Sequence, residues 1–186
     1  MQIPIVNEMR QVLQNAELLY SRAEVEQAIA DLGQAITARL QDSNPLCLCV
    51  LNGGVITAGL LLPHLPFPLQ LDTLHATRYR GETQGKDLQW KKLPESKLAG
   101  RTLLVIDDIL DQGLTLRAIV AYCQAQGAAQ VYTATLADKP DAHHPDGLAA
   151  ADFTGLSLPN RYIFGYGLDY HGYWRNADGI YAVKGL

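Results

Sequence analysis

Residues 103–116 read LLVIDDILDQGLTL, and this stretch is the main indicator of the fold. Four apolar residues predict a buried strand that runs into two adjacent aspartates, Asp107 and Asp108. A tight turn over residues 111–115, with Gly113 at its centre, opens directly into an apolar pattern of helical spacing. Strand, glycine turn and helix in this order are typical of open parallel sheets, whose ligands bind beyond the carboxyl ends of the strands.

The sequence on either side repeats this alternation. Ser21 and Glu24 form a predicted capping box for a helix over residues 22–40, where apolar residues recur three and four apart. Apolar runs predict strands over residues 46–51, 69–79, 101–106, 131–137 and 161–166, and helices over 55–62 and from 116 to about 127. We therefore predict an α/β fold with a mostly parallel central sheet flanked by helices.

One polar segment interrupts the alternation. Residues 80–100 contain Gly81, Gly85 and Gly100 and are longer than an ordinary connection. Leu88 and Trp90 alternate within the segment and indicate one face of a strand. We interpret it as a mobile flap or a long hairpin.

Length and composition restrict the class of protein. The chain has 186 residues and a formal net charge of −4; its length suits one α/β domain. The acidic balance argues against nonspecific binding to nucleic acid or membrane, and no stretch of 18 apolar residues predicts a span. Cys47, Cys49 and Cys123 lack a C-x-x-C spacing, so we expect reduced cysteines and a cytoplasmic location.

The turn after the strand has the chemistry of a phosphate site. Successive N–H groups, the helix dipole and the Thr115 hydroxyl can hold a phosphate monoester. Asp107 and Asp108 suit ribose hydroxyls, or a Mg²⁺ ion shared with them. Ordinary turn chemistry is one alternative. A phosphoryl-transfer enzyme with an aspartate nucleophile is another, but its usual Asp-x-Asp spacing is absent here.

The complete string resembles the phosphoribosyl-pyrophosphate signature of type I phosphoribosyltransferases, and the resemblance covers about residues 16–183. It implies donor binding by Asp107, Asp108, Asp111, Gln112, Gly113, Leu114 and Thr115, with Asp111 as general base. Leu51, Asn52 and Gly53 resemble the family's pyrophosphate loop, which commonly has a cis peptide at the position of Leu51–Asn52.

The C-terminal part resembles the hypoxanthine-guanine members of that family. Tyr162 matches the aromatic residue that stacks on the base, and Ile163 matches a position whose backbone reads the edge of the base. Asp169 matches a residue that does the same and helps to hold a second Mg²⁺. Lys139 matches the donor to the purine 6-oxo oxygen, and Arg175 an arginine that contacts pyrophosphate.

The chain departs from the family at several positions. Asn52 replaces a residue that is basic in many relatives, Gln112 replaces Thr or Ser, and Leu114 replaces a polar residue. The flap contains Arg78, Tyr79 and Arg80 where relatives often have Ser-Ser-Tyr. We hypothesise that Arg78 and Arg80 supply the positive charge that Asn52 lacks.

The resemblance implies one domain over residues 1–186, with a flexible flap at about 80–100. A small hood is expected from the N-terminal segment and residues 153–186. It also implies transfer of 5-phosphoribosyl from phosphoribosyl pyrophosphate to hypoxanthine or guanine, with Mg²⁺ held by Asp107, Asp108 and Asp169. A homodimer or homotetramer is expected by analogy. A xanthine-preferring enzyme, a pyrimidine enzyme or a nucleic-acid-binding regulatory protein of the same fold are the alternatives.

Overall fold

The computed structural model describes residues 4–78 and 88–185. Its helices are α1 (Pro4–Asn15), α2 (Arg22–Leu40), α3 (Gly54–Leu61) and α4 (Leu114–Ala125). Its strands are β1 (Glu17–Tyr20), β2 (Leu46–Val50), β3 (Gln70–Arg78), β4 (Leu88–Lys92), β5 (Thr102–Leu110), β6 (Gln130–Asp138), β7 (Phe153–Ser157), β8 (Ile163–Phe164) and β9 (Ile180–Ala182). Among the helices in these two ranges, none is both long and apolar enough to cross a membrane.

The central sheet has six strands in the order β4-β3-β2-β5-β6-β7. Neighbours are parallel from β3 through β7, and β4 joins the edge antiparallel to β3. The prediction of a mostly parallel α/β sheet is therefore confirmed. The hairpin of β3 and β4 also confirms that Leu88 and Trp90 lie on one face of a strand, where both pack against the core.

The strand predicted over residues 161–166 is shorter and belongs to a different sheet. Only β8 is extended, and it pairs with β9 in a separate antiparallel sheet of order β1-β9-β8. Gly165, Tyr166 and Gly167 all have positive φ angles, which end the extended backbone. Within the range assigned to a hood, β8 and β9 lie in this small sheet, whereas β7 pairs with β6 in the large one.

Both faces of the large sheet are buried. Successive side chains of a strand point to opposite faces, and those of β2 enter a different core cluster on each face. Cys47 and Cys49 of β2 pack in the cluster that contains residues of α2 and α3, and Leu48 and Val50 pack in the cluster that contains residues of α4. Burial raises the pKa of the Cys47 thiol to about 12 and that of Cys49 to about 11. Both thiols are therefore protonated core residues.

Helix α2 begins and ends where the sequence predicts. The backbone N–H of Ser21 donates to Glu24 Oε2 at 2.8 Å, and Glu24 N–H donates back to the Ser21 hydroxyl, which completes the capping box. Helix α1 and strands β1 and β7 were not predicted. The Trp174 indole N–H donates to the Met9 carbonyl at 2.8 Å and holds α1 against the C-terminal segment.

Candidate active site

A cavity of about 1520 Å³ lies at the carboxyl ends of β2, β5 and β6. Pockets for one small ligand usually measure about 300–1,000 Å³, so this cavity has room for two. Most predicted site residues line it: Leu51, Asn52, Gly53, Asp107, Asp108, Asp111, Gln112, Gly113, Leu114, Thr115, Lys139, Tyr162, Ile163, Asp169 and Arg175.

The loop after β2 lies directly against the aspartate pair. Cys49 is in register with Ile106, so the residues that follow β2 run beside the aspartates of β5. The Leu51–Asn52 peptide bond is cis, as the resemblance implies. A Cβ atom at Gly53 would lie 2.0 Å from Asp108 Oδ2, so a glycine is required for this close approach.

The aspartates do not end their strand, which corrects our prediction. Strand β5 continues to Leu110 because β6 continues beside it: Asp107 is in register with Thr135, and Leu110 with Asp138. Two carboxylates are therefore held on regular strand backbone. Their positions are set by the pairing of β5 with β6 and not by a flexible turn.

The two carboxylates are poorly solvated in the folded protein. Burial and then the adjacent charge of Asp108 raise the pKa of Asp107 well above its usual range, and burial raises the pKa of Asp108. The Asp108 backbone N–H donates to Asp107 Oδ1 at 2.9 Å. Ionised carboxylates in this position need a cation or hydroxyl donors that the substrate can bring.

This unfavourable burial leads to a prediction about stability. Because the pKa of Asp107 is raised on folding, ionisation destabilises the fold as pH rises above the unfolded value. Asp107→Asn should increase the free energy of unfolding at pH 7 by about 0.5–2 kcal/mol in ligand-free protein, and denaturant titration would measure it. At pH 4 the folded protein binds a proton at Asp107 and no longer buries its charge, so the gain in the free energy of unfolding should be smaller.

Asp72→Asn is the matched control for this prediction. Burial opposes ionisation of Asp72, but hydrogen bonds from the N–H groups of Ser96, Thr73 and Glu95 outweigh it and lower its pKa. Asp72→Asn should therefore decrease stability at pH 7. A loss of stability in both variants would contradict our account of Asp107.

The turn after β5 has its carbonyl groups occupied by a neighbouring loop. His144 N–H donates to the Gln112 carbonyl at 3.1 Å, and Leu148 N–H donates to the Gly113 carbonyl at 3.0 Å. The first N–H groups of α4 have no acceptor within the helix, and residues 111–115 line the cavity. The turn can therefore bind an anion at a helix N-terminus.

A lysine and an aromatic residue also line the cavity. Lys139 N–H donates to the Leu110 carbonyl at 2.9 Å, and Lys139 Nζ lies 3.7 Å from Asp111 Oδ1. The Tyr162 ring meets the Tyr170 ring edge to face at a centroid distance of 5.4 Å. A flat ligand between Tyr162 and Lys139 would have a ring to stack on and a cation at its edge.

Arg175 joins two acidic positions of the site. Its Nη2 lies 2.6 Å from Asp169 Oδ1, and its Nη1 lies 4.0 Å from Asp108 Oδ2. Gly172 N–H donates to Asp169 Oδ2 at 2.6 Å. Arg175 thus places positive charge beside the aspartate pair.

The acidic residues fit Mg²⁺ that arrives with a substrate. Within the two described ranges, no group of three or more His, Cys, Asp or Glu side chains could form a metal cage. Mg²⁺ is usually held by one or two carboxylates, with water and substrate phosphates completing its octahedron. Asp107 and Asp108 provide a pair of this kind.

The predicted flap residues could be traced only in part. Arg78 is the last residue of β3, and Tyr79 and Arg80 lie outside the described residues. His75 and Lys91, which were not predicted as site residues, line the cavity from β3 and β4. Strand alternation from Leu88 and Trp90 could have indicated that Lys91 projects from the opposite face.

Comparison with known proteins agrees with this geometry. A family model described as "Phosphoribosyl transferase domain" matches residues 15–171. The Tritrichomonas foetus protein named hypoxanthine-guanine-xanthine phosphoribosyltransferase is 34% identical over 167 residues, which cover 90% of this chain and 91% of that protein. The Bacillus subtilis hypoxanthine-guanine phosphoribosyltransferase is 32% identical over 169 residues, with 90% and 93% covered.

Solved structures agree as well. A hypoxanthine phosphoribosyltransferase from Staphylococcus aureus superposes with a TM-score of 0.86 at 26% identity, covering 92% of this chain and 93% of that one. A structure named hypoxanthine-guanine-xanthine phosphoribosyltransferase superposes with a TM-score of 0.83 at 31% identity, covering 92% and 99%.

Proposed function

This chain belongs to the phosphoribosyltransferase family, and we propose that it is a purine-salvage transferase. It moves the 5-phosphoribosyl group of phosphoribosyl pyrophosphate to a 6-oxopurine, hypoxanthine or guanine, and forms IMP or GMP and pyrophosphate. One observation carries the proposal: a single cavity is lined by a turn that can bind an anion, an aspartate pair, a lysine and an aromatic ring. The names of the relatives support the same activity.

The donor would lie along the edge of the sheet. The N–H groups and the Thr115 hydroxyl in the turn bind its 5′-phosphate, which requires no charged side chain from Gln112 or Leu114. Asp107 and Asp108 accept hydrogen bonds from the ribose hydroxyls. The loop of Leu51, Asn52 and Gly53, together with Arg175, binds the pyrophosphate group.

The base would occupy the space beside Tyr162. Stacking of a purine on an aromatic ring contributes about 1–3 kcal/mol in nucleic-acid complexes. Backbone groups near Ile163 and Asp169 read the edge of the base, and Lys139 Nζ donates to the 6-oxo oxygen. The 3.7 Å separation between Lys139 Nζ and Asp111 Oδ1 supports a base position next to both groups.

Catalysis in this site depends on position and charge. Bond cleavage at ribose C1 develops oxocarbenium character, and the protein orients the purine nitrogen towards that carbon. Asp111 accepts the proton that leaves the purine N7. Mg²⁺ held by Asp107 and Asp108, with a second Mg²⁺ at Asp169, would neutralise charge on the leaving pyrophosphate. Arg175 adds positive charge to that side of the cavity.

Further parts of the proposal rest on the family. We treat residues 1–186 as one domain whose small sheet, with β8 and β9, forms the hood over the base. Of the flap predicted at about 80–100, residues 88–92 form β4 of the large sheet, so we propose closure over the cavity, which would exclude water, only for the part of that segment before Leu88. We propose a cytoplasmic homodimer or homotetramer that binds no nucleic acid; three free, buried cysteines support a reducing location.

A substrate panel tests the proposal. With phosphoribosyl pyrophosphate and Mg²⁺, nucleotide product is expected from hypoxanthine and guanine, and adenine and uracil should react about 5- to 150-fold more slowly. Adenine carries an amino donor where Lys139 also donates, and such an unpaired donor costs about 1–3 kcal/mol. Xanthine is included because one relative carries it in its name. Equal rates with adenine and hypoxanthine would contradict the assignment.

A further inference from the structure

We propose that Lys91 is a pyrophosphate-binding residue, which supplies from β4 the positive charge that the neutral Asn52 does not. This inference rests on the proposed function, because it names a further residue for the same donor site. It concerns a side chain that neither the sequence motifs nor the resemblance indicated.

The first support is the pairing of the cations that line the cavity. Among the side chains of residues 5–77 and 88–185, these are Lys91, Lys139, Arg161 and Arg175. The last three form ion pairs with Asp111, Glu17 and Asp169, respectively. Lys91 is exposed and has no carboxylate partner in that part of the chain. An anion in the cavity could therefore form an ion pair with Lys91 without breaking an existing ion pair.

The second support is the position of Lys91 across the sheet. Val50 is in register with Leu74, and Leu51 N–H donates to the Leu74 carbonyl at 2.8 Å. The loop after β2 therefore lies beside His75, and β4 is the next strand. Adjacent strands are about 4.8 Å apart, so Lys91 begins roughly 10 Å from β2. A flexible lysine can bridge much of that gap.

The strand order also separates the two phosphate sites. In the order β4-β3-β2-β5, the turn of residues 111–115 follows β5, on the far side of β2 from Lys91. Lys91 is thus placed towards the pyrophosphate loop and away from the 5′-phosphate turn. The strand order places Lys91 on the same side of the site as Asn52.

Among the described side chains near Lys91, neither His75 nor Lys92 supplies a free positive charge to this corner of the cavity. Burial and then the charge of Lys91 lower the pKa of His75, so His75 is neutral at pH 7. The adjacent Lys92 is already engaged: its Nζ donates to Thr73 Oγ1 at 2.7 Å and lies 3.9 Å from Asp72 Oδ1. Lys92 therefore does not provide the missing charge.

Lys91→Gln tests the inference, with Lys97→Gln as the matched control. Lys97 is an exposed lysine of the same region that does not line the cavity. Lys91→Gln should raise KM for phosphoribosyl pyrophosphate, and the calorimetric Kd of pyrophosphate with Mg²⁺, about tenfold, as expected for one charged hydrogen bond. KM for hypoxanthine should stay within about twofold, and Lys91→Arg should recover most of the loss.

The outcomes separate this inference from the proposed function. If the unmodified chain is active and Lys91→Gln binds pyrophosphate as tightly as Lys97→Gln, the inference is wrong and the function stands. A change confined to KM for hypoxanthine would also overturn it. If the unmodified chain forms no nucleotide from any base, the proposed function itself fails.

Discussion

Asp111→Asn is expected to lower kcat by about 10²- to 10⁴-fold, the usual contribution of a positioned proton acceptor. Asparagine keeps the size of the side chain but cannot take up the purine proton. The lost carboxylate is about half exposed at the mouth of the turn, so the fold should be unaffected. KM for phosphoribosyl pyrophosphate should rise only modestly, because the backbone N–H groups of the turn remain. Steady-state kinetics with hypoxanthine would measure both constants.

The control must account for the partner of Asp111. The same substitution would also release Lys139, whose Nζ lies 3.7 Å from the carboxylate. If Asp111 only positions Lys139, KM for the base should rise while kcat changes little. Asp141→Asn removes an equal charge from the lining of the same cavity and should leave kcat within about twofold. A kcat of Asp111→Asn close to that of the control would remove the proton-transfer role.

Gly113→Ala is expected to raise KM for phosphoribosyl pyrophosphate about 100-fold or more. Gly113 has a φ of +75°, and an added Cβ would lie 2.5 Å from the carbonyl oxygen of Leu148. The turn or the loop that holds it would therefore move. Misplacement of about 1 Å in a positioned site can cost 10²-fold in rate. Initial rates over a wide range of donor concentrations would give the change in KM.

Gly100→Ala is a close control for this prediction. Gly100 also has a φ of +75°, but no atom lies within 4 Å of its added Cβ. Both variants should lose roughly 1–2 kcal/mol of stability because both place alanine in the left-handed region, and Gly113→Ala should lose more because of its contact with Leu148. Only Gly113→Ala should lose donor affinity. Equal kinetics in the two variants would show that the contact with Leu148 does not position the turn.

The predictions for Asp107 and Lys91 follow from one electrostatic pattern. Two poorly solvated carboxylates on β5 line the same cavity as one described lysine at the β4 edge that has no carboxylate partner among the described residues. In the ligand-free protein, the carboxylates of β5 and Lys91 do not form ion pairs with one another. A donor substrate would bind the aspartates through its hydroxyls and Lys91 through its phosphates. Asp107→Asn should therefore increase the stability of the ligand-free protein but weaken its function.

Local features of the protein could be predicted from the amino-acid sequence. The capping box of Ser21 and Glu24 and the apolar spacing after it predicted α2 with its observed bounds. The glycine turn at 111–115 and the alternation of strands and helices predicted the α/β class. Each of these depends on residues a few positions apart, which interact in the same way whatever the rest of the chain does.

How these pieces meet became visible only in the folded chain. Strand β5 continues past Asp107 because β6 continues beside it. The segment around Tyr162 leaves the large sheet for a small one, and Lys91 comes to the cavity through the position of β4 at the edge. Strand order and register join residues that are remote in sequence, and their energies are summed over many side-chain contacts on both faces of the sheet. No local pattern contains that sum.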